Sequence, residues 1–263
     1  GRGRLRIELE GPDCPLLAAP EELAELAGLM EAPMRLEDQD GDHLTLIQQE
    51  PLMAVAGIAA RKKDGETVSG DAGTYFKRGD GTLYVLLCDG MGSGPQANRE
   101  SSLALRLLEQ FLQAGVETEH ALVTLNSALA LRGEEAGGFT TVDLLQVDLF
   151  TGDGVVFKLG AAPTYVRKGG TVRRISGASL PAGLAAEERS APDRFPIHLS
   201  PGDCVLLVSD GVTGTEDDSW LRERLVKFDQ GSPKELARDL ITHSPQGATD
   251  DSTALVIRLE KRE

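Results

Sequence analysis

The amino-acid sequence predicts an α+β sandwich with mainly antiparallel sheets. Strand-like and helix-like stretches follow one another in the order strands, two helices, strands, two helices, strand. Most strands are joined by hairpin turns, such as Gly79-Asp-Gly81 and Lys168-Gly-Gly170, and not by the helical crossovers that parallel strands need. Aromatic residues make up only 4% of the 263 residues, so the core must consist mainly of Leu, Val and Ala.

The first 42 residues differ from the rest of the chain. Pro20 is placed to open a helix over residues 20–30, and residues 37–42 are typical of a solvated acidic loop. The helix carries an apolar stripe formed by Leu23, Leu26 and Met30. We expect a packing helix in an N-terminal segment 1–42, with a regulatory or dimerisation element as the alternative, followed by one domain over residues 43–263.

In that domain, apolar periodicity and turn residues assign the strands and helices. The first half is predicted to contain strands over residues 44–49 and 53–60, a hairpin over 74–85, and helices over 98–114 and from an N-cap at Thr118. The second half is predicted to contain strands over residues 139–150, 155–159, 164–167, 171–175, 195–199, 204–209 and 254–259. Two further helices are expected over 216–228 and 233–242, with a loop or flap over 176–194.

The charge of the chain argues against several classes of partner. Its formal net charge is −15, whereas nucleic-acid phosphates and anionic membrane surfaces are bound by clustered lysine and arginine. We therefore expect no nucleic acid as a partner. An anionic substrate would need a local cation to offset the negative field of the protein, and a bound metal could supply it.

The cysteines and the hydrophobic stretches bear on localisation. Cys14, Cys88 and Cys204 are far apart and two of them lie in apolar strands, so a reducing cytoplasmic compartment is expected. The longest uncharged apolar stretch, residues 52–60, is too short to cross a bilayer. Because residue 1 is Gly and not Met, we expect a cytoplasmic fragment, and a membrane tether in a missing N-terminal region stays an open alternative.

Two apolar strands each run directly into an Asp-Gly pair, Asp89-Gly90 and Asp210-Gly211. Each pair places a carboxylate at the end of a strand, and the glycine leaves room for close backbone approach. Two more acidic signals lie at strand margins, Asp71 after Ser-Gly and the pair Asp250-Asp251. Four carboxylate positions at strand ends, with no histidine among them, predict a site for a hard metal ion.

Each of these acids also has a plainer explanation. An aspartate beside glycine is common in turns, so the metal interpretation depends on all four positions occurring together. Residues 92–97 also match the G-x-G-x-x-A pattern of dinucleotide-binding folds. That pattern requires a second parallel strand ending in an acid about 20 residues further on, and a helix is predicted there instead. A dinucleotide site is therefore the weaker hypothesis.

Taken together, the motifs resemble those of the metal-dependent PP2C-type serine/threonine protein phosphatases, in matching order over about residues 44–260. Within that family the chain is most similar to the phosphatase domain of the stage II sporulation protein E branch. The stretches that carry this closer resemblance are Val68–Asp71, Asp89–Gly94, Leu125–Arg132, Thr140–Leu144 and Lys158–Thr164. The resemblance implies a PP2C-like αββα sandwich, in which two sheets are flanked by helix pairs.

The resemblance also implies a centre of two Mn²⁺ or Mg²⁺ ions. Asp89 would bridge both ions, and Asp89 and Asp210 would be the catalytic carboxylates. The implied ligands are Asp71 and the carbonyl of Gly90 for one ion, and Asp210 and Asp250 for the other, with Asp251 as the alternative to Asp250. All-oxygen ligands suit Mg²⁺ or Mn²⁺ better than zinc. Two such ions lower the pKa of a shared water, so that hydroxide can attack phosphorus without a phosphoenzyme.

The chain departs from the family pattern at two positions. Met91 follows the first Asp-Gly, where eukaryotic members have a histidine that is a candidate general acid. Thr67 stands in place of a phosphate-clamping arginine. The phosphate is therefore expected to rest mainly on the metals, and the enzyme is expected to be slow and dependent on substrate docking.

The function that the resemblance implies is hydrolysis of phosphoserine in a protein. In the sporulation branch the implied substrate is a phosphorylated anti-anti-sigma factor, and its dephosphorylation would release a sporulation sigma factor. A homodimer through the N-terminal helix is a further expected contact. The alternative is a catalytically weak or inactive regulatory module that keeps the same fold and binds a partner.

Overall fold

The computed structural model describes residues 4–131, 138–184, 191–214, 217–228 and 231–262. The chain divides into two compact units, one formed by residues 1–53 with 261–263 and the other by residues 54–260. No helix in the described ranges is long and apolar enough to cross a lipid bilayer. Residue 216, where a helix is predicted to begin, and the middle of the predicted flap lie outside these ranges.

The first unit contains a three-stranded antiparallel sheet in the order β1-β3-β2. Its elements are β1 (Arg6–Glu10), a 3₁₀ turn (Cys14–Ala18), α1 (Pro20–Leu29), β2 (Met34–Asp40) and β3 (His43–Gln48). Leu44 and Leu46 are buried in its core, and Leu23 and Leu26 of α1 pack against them. Leu23 and Leu26 of the predicted stripe therefore pack inside their own unit, whereas Met30 is the residue that caps the end of α1.

The acidic end of this segment is a strand and not the predicted loop. β2 continues through residues 37–40, because its backbone pairs with β3 while its charged side chains stay exposed. β3 lies between β1 and β2, so the first unit extends beyond the division predicted between residues 42 and 43.

The second unit contains two five-stranded sheets with helices on both sides. Sheet I has the order β11-β8-β7-β6-β5 and consists of β5 (Asp71–Lys77), β6 (Thr82–Gly90), β7 (Thr140–Asp148), β8 (Asp153–Leu159) and β11 (Asp193–His198). Sheet II has the order β10-β9-β12-β13-β4 and consists of β4 (Leu52–Arg61), β9 (Thr164–Lys168), β10 (Thr171–Ile175), β12 (Cys204–Val208) and β13 (Ser252–Lys261). The helices are α2 (Gly94–Gln113), α3 (Thr118–Ala130), α4 (Asp210–Thr213), α5 (Ser219–Lys227) and α6 (Pro233–Thr242).

The two sheets form the inner layers of a sandwich. The outer face of sheet I shares a buried apolar cluster with α2 and α3, which includes Leu86, Leu108 and Leu125. The outer face of sheet II shares another with α5 and α6, which includes Val256, Leu225 and Leu240. Side chains at the alternate strand positions, such as Val85 and Leu255, are also fully buried and point between the sheets. This arrangement confirms the predicted αββα sandwich of two mainly antiparallel sheets.

Local hydrogen bonds alter one predicted helix end. The N-cap of α3 is Glu117 and not Thr118, because the Glu117 carboxylate accepts the backbone N–H of His120 at 3.0 Å. The hydroxyl of Thr118 instead donates to Gln146 Oε1 on sheet I at 2.7 Å. Thr118 therefore fastens α3 to the sheet.

A buried ion pair joins the two sheets. Lys158 on β8 and Asp143 on β7 are direct cross-strand neighbours in sheet I, and their side chains are 0% and 1% exposed. Lys158 Nζ lies 2.9 Å from Asp143 Oδ2 and donates to Thr164 Oγ1 on sheet II at 2.8 Å. The Thr164 hydroxyl in turn donates to Asp143. Burial lowers the pKa of Lys158, and the neighbouring Asp143 carboxylate opposes that shift.

We expect Lys158→Met to destabilise the protein by about 3 kcal/mol, because it leaves the Asp143 carboxylate buried without its cation. The double variant Asp143→Leu with Lys158→Met should lose less, since no unpaired charge then remains inside. Urea unfolding curves of the wild type, both single variants and the double variant give the comparison. A double variant less stable than Lys158→Met would contradict this account of the bridge.

Candidate metal centre

The first two predicted acids lie opposite each other in sheet I. Asp71 begins β5 and Asp89 is the last residue but one of β6, and the antiparallel register pairs them directly. Strand alternation places the side chain of Asp89 on the face of β6 that points to sheet II. The hydroxyl of Thr140 on β7 donates to the Asp89 carbonyl oxygen at 2.8 Å, which fixes the end of β6. The two carboxylates therefore meet at the rim between the sheets.

The other acids reach the same rim from sheet II. β12 ends at Val208, and Asp210 begins the short helix α4, which the sequence did not predict. Ser209 and Thr253 hold the end of β12 beside the start of β13 through two hydrogen bonds, at 3.0 and 2.9 Å. This contact brings Asp210 close to Asp250, the residue two positions before β13.

Three of the acids share one cleft. Asp89, Asp210 and Asp250 line a cavity of about 350 Å³ together with Lys63, Gly90, Met91, Gly92, Phe139 and Thr141. Burial raises the pKa of Asp89 to about 10, and the charges of Asp71, Asp210 and Asp250 contribute to that rise. Burial, followed by the charge of Asp250, also raises the pKa of Asp210. At neutral pH Asp89 is therefore ionised only where a cation offsets the negative charge around it, and without a cation it stays protonated.

Asp71 carries the clearest sign of cation binding. Its side chain is buried, and neither carboxylate oxygen accepts a hydrogen bond of ordinary geometry from the described residues. Burial raises its pKa to about 6, while the nearby hydroxyls of Ser209 and Thr253 oppose that rise. A buried carboxylate is normally paired or bound to a cation, so an oxygen-binding metal ion fits this position.

The carboxylates are not arranged around a single point. No three His, Cys, Asp or Glu side chains of the described residues form a ready coordination group as they stand. Asp71 lies opposite Asp89, Asp89 also interacts with Asp210, and Asp210 lies near Asp250. The donor chemistry therefore fits a hard divalent ion, and we expect side-chain rotation to complete the coordination.

The structure gives Asp250 and Asp251 different surroundings. Asp250 lines the cleft, whereas the Asp251 side chain is buried and accepts two backbone N–H groups, from Lys63 at 2.9 Å and from Gly70 at 2.8 Å. Asp251 thus uses both oxygens to hold the β4–β5 loop. Of the two acids, Asp250 is the one placed at the cleft, and Asp251 makes a structural contact.

The two Asp-Gly glycines are required by close chain packing. A Cβ at Gly90 would lie 2.2 Å from the carbonyl oxygen of Ala97 in α2, and one at Gly211 would lie 1.9 Å from the carbonyl oxygen of Asp251. Real Cβ atoms do not approach backbone so closely. Gly90 therefore lets α2 lie against the end of β6, and Gly211 lets the 250–251 segment lie against the start of α4. This packing requirement is independent of any ligand role of the Gly90 carbonyl.

Sequence reasoning missed three residues of the cleft, Lys63, Phe139 and Thr141. Thr141 is the direct cross-strand neighbour of Asp89 in sheet I. Once the pairing of β6 with β7 is known, its register and the alternation of side chains are enough to place Thr141 beside Asp89. Lys63 lies in the basic turn 61–65, which precedes the strand that begins at Asp71. Its presence in the cleft depends on a contact with Asp251, far away in the sequence.

Comparison with known proteins identifies a family for this chain. The family model for Stage II sporulation protein E (SpoIIE) matches residues 79–260. A stage II sporulation protein E from Priestia megaterium is 30% identical over 213 residues, which covers 78% of this chain and 36% of that protein. The chain thus spans about a third of the length of that curated relative.

Two solved structures extend the comparison. The PP2C phosphatase domain of SpoIIE from Bacillus subtilis, with a fragment of its regulatory domain, has a TM-score of 0.78 and 25% identity. That match covers 100% of this chain and 80% of the other. RsbX in complex with magnesium has a TM-score of 0.64 at 18% identity, covers 86% of this chain and 100% of that one, and supports the fold alone.

We expect Gly211→Ala to destabilise the protein by about 3 kcal/mol, because the added methyl meets backbone and forces the chain to shift. Gly170→Ala is the matched control, since nothing lies within 4 Å of a Cβ there, and it should change stability by less than about 1 kcal/mol. Urea unfolding followed by circular dichroism measures both. Equal stability of the two variants would show that the Gly211 contact is not required.

Proposed function

The chain belongs to the stage II sporulation protein E family of PP2C-type serine/threonine phosphatases, and we propose from this that it hydrolyses phosphoserine in a protein substrate. The observation that carries this proposal is the meeting of Asp71, Asp89, Asp210 and Asp250 at one rim, with both oxygens of the buried Asp71 open to a cation. Four carboxylates in this arrangement suit cation binding next to a cleft that opens to solvent.

We propose two Mn²⁺ or Mg²⁺ ions as the cofactors. The donors at this rim are carboxylates, with the backbone carbonyl of Gly90 beside them, and hard oxygen donors favour these ions over zinc. Asp89 lies between the acid of β5 and the acids of sheet II, so it is the residue placed to serve both ions. Bound divalent ions would supply Lewis acidity, which lowers the pKa of a water and neutralises phosphate charge.

The chain's own residues then define the rest of the reaction. Water attacks phosphorus and the serine oxygen leaves, so the leaving oxygen must take up a proton. Met91 occupies the position next to the Asp-Gly pair and is 60% exposed, but its thioether has no proton to give. The proton therefore comes from solvent or from the substrate, which is consistent with a slow enzyme.

The substrate we propose is a phosphorylated anti-anti-sigma factor. The support is the family assignment and the B. subtilis relative, which is described as a cell fate determinant. We also propose a cytoplasmic location, in keeping with three free cysteines. A homodimer through α1 would have to use Leu29, which is 77% exposed, because Leu23 and Leu26 already pack within their own unit.

A second candidate function is a partner-binding module with little or no activity. The observations that favour it are Met91 in place of a proton donor and the fact that, among the described residues, the carboxylates do not form a ready coordination group. Metal-dependent turnover distinguishes the two functions.

We expect hydrolysis of a phosphoserine peptide to require Mn²⁺ or Mg²⁺ and to fall by at least about 100-fold in Asp89→Asn, since the carboxylate between both groups of acids is lost. Asp153→Asn is the control, because Asp153 is an exposed residue at the opposite end of sheet I. Phosphate release at saturating metal is the measurement. Undiminished activity in Asp89→Asn would contradict the proposed mechanism.

Metal affinity should separate the two neighbouring acids. We expect Asp250→Asn to weaken Mn²⁺ binding by about tenfold or more in calorimetry while stability stays nearly unchanged. Asp251→Asn should instead lower the free energy of unfolding by about 1–3 kcal/mol, because a buried backbone N–H loses its acceptor. The reverse pattern would identify Asp251 as the ligand.

A further inference from the structure

One cation faces the acids of the cleft. Lys63 lines the cavity together with Asp89, Asp210 and Asp250. Its side chain is partly exposed and forms no ion pair with the described residues. The backbone of Lys63 is bonded twice, because its N–H donates to Asp251 and its carbonyl accepts the N–H of Glu66. A lysine beside several carboxylates ordinarily pairs with one of them. The Lys63 ammonium is therefore available to a further negative group that enters the cleft.

The backbone that carries Lys63 is fixed in place. The Lys63 N–H donates to Asp251 Oδ1 at 2.9 Å, and the next residue, Asp64, donates its N–H to the carbonyl of Ala248 at 2.9 Å. On the other side, the Arg61 guanidinium donates to the carbonyl of Gly247. These three contacts bind the loop to the segment that carries Asp250, so Lys63 and the acids are positioned by the same stretch of chain.

We infer that Lys63 binds the phosphate group of the substrate, in the role that the family's arginine would have at Thr67. This inference rests on the proposed function. A phosphate that approaches four carboxylates on a chain of net charge −15 needs positive charge beyond its own hydrogen bonds. Lysine contacts phosphate as a compact point charge with three donors, and its flexible stem can follow a phosphate that lies against bound cations.

The pattern of acids fits this assignment. Asp251 is the residue that holds both Lys63 and Gly70, one residue before Asp71. Asp250 faces the cavity, and its neighbour Asp251 positions the loop that brings the Lys63 ammonium to the same cavity. The two adjacent acids thus connect the carboxylates of the cleft with its lysine.

The test compares Lys63→Met with Lys62→Met. Lys62 is the neighbouring lysine, but it is exposed and its ammonium donates to the carbonyl of Glu66, outside the cleft. Inorganic phosphate is titrated calorimetrically at saturating Mn²⁺, and its competitive inhibition of p-nitrophenyl phosphate hydrolysis is measured in parallel. We expect Lys63→Met to weaken phosphate binding by about 10- to 100-fold, Lys62→Met to leave it unchanged, and Lys63→Arg to restore most of it.

Mn²⁺ affinity provides the decisive second measurement. If Lys63 serves the phosphate, Lys63→Met leaves Mn²⁺ affinity unchanged within about twofold. Unchanged phosphate affinity with tighter Mn²⁺ binding would overturn the inference and make Lys63 a counter-ion of the carboxylates. Unchanged affinity for both would also overturn it and make Lys63 an ordinary surface lysine.

The calorimetric measurement does not depend on turnover. A wild-type protein that binds phosphate through Lys63 but hydrolyses no phosphomonoester would refute the proposed function and leave the Lys63 assignment intact. A wild-type protein that binds no inorganic phosphate at millimolar concentration would refute the Lys63 assignment, even if peptide hydrolysis is observed.

Discussion

Mutual repulsion of carboxylates at one rim of the sandwich is the constraint on which the rest of this structure depends. Two like charges about 4 Å apart repel by about 4 kcal/mol at the effective dielectric constant of a protein surface. Asp71, Asp89, Asp210 and Asp250 come together from two different sheets, and burial, followed by the charges of the other acids, raises the pKa of Asp89. Such an arrangement persists only where the framework holds it and where a cation can offset it.

The framework holds the acids through contacts that bring backbone close to backbone. Gly90 and Gly211 allow α2 and the 250–251 segment to lie against the acid-bearing strand ends. The Ser209–Thr253 hydrogen bonds keep the ends of β12 and β13 together. Deeper between the sheets, the ion pair of Lys158 with Asp143 reaches Thr164 and ties sheet I to sheet II. A polar bridge of this kind fixes the pairing of the sheets more strictly than apolar packing, because each partner has only a few satisfactory positions.

The same architecture separates roles that are adjacent in sequence. Asp250 and Asp251 are neighbours along the chain, yet one lines the cleft and the other is buried against two backbone donors. Of this pair of acids, Asp250 adds negative charge to the cleft, and Asp251 holds the β4–β5 loop in position. In the proposed reaction, the exposed Met91 of the cleft leaves the leaving-group proton to solvent or substrate.

Much of this could be read from the sequence, because apolar alternation, hairpin turns and helical periodicity are local properties of the chain. They determined the sandwich class, most strand positions and the four acidic strand ends that meet at the rim. The strand through the acidic residues 37–40 was missed because it is held by pairing with β3 and not by its own polar side chains. The N-cap of α3 and the short helix at Asp210 rest on local hydrogen bonds, His120 N–H to Glu117 and Gly214 N–H to the Asp210 carbonyl, which apolar periodicity does not reveal. Only the tertiary structure could decide that Asp250 faces the cleft, that Asp251 is a buried anchor, and that Lys63 joins the site. Those outcomes are set by contacts between residues nearly 190 positions apart, and pairings at that separation are fixed by packing and not by local sequence.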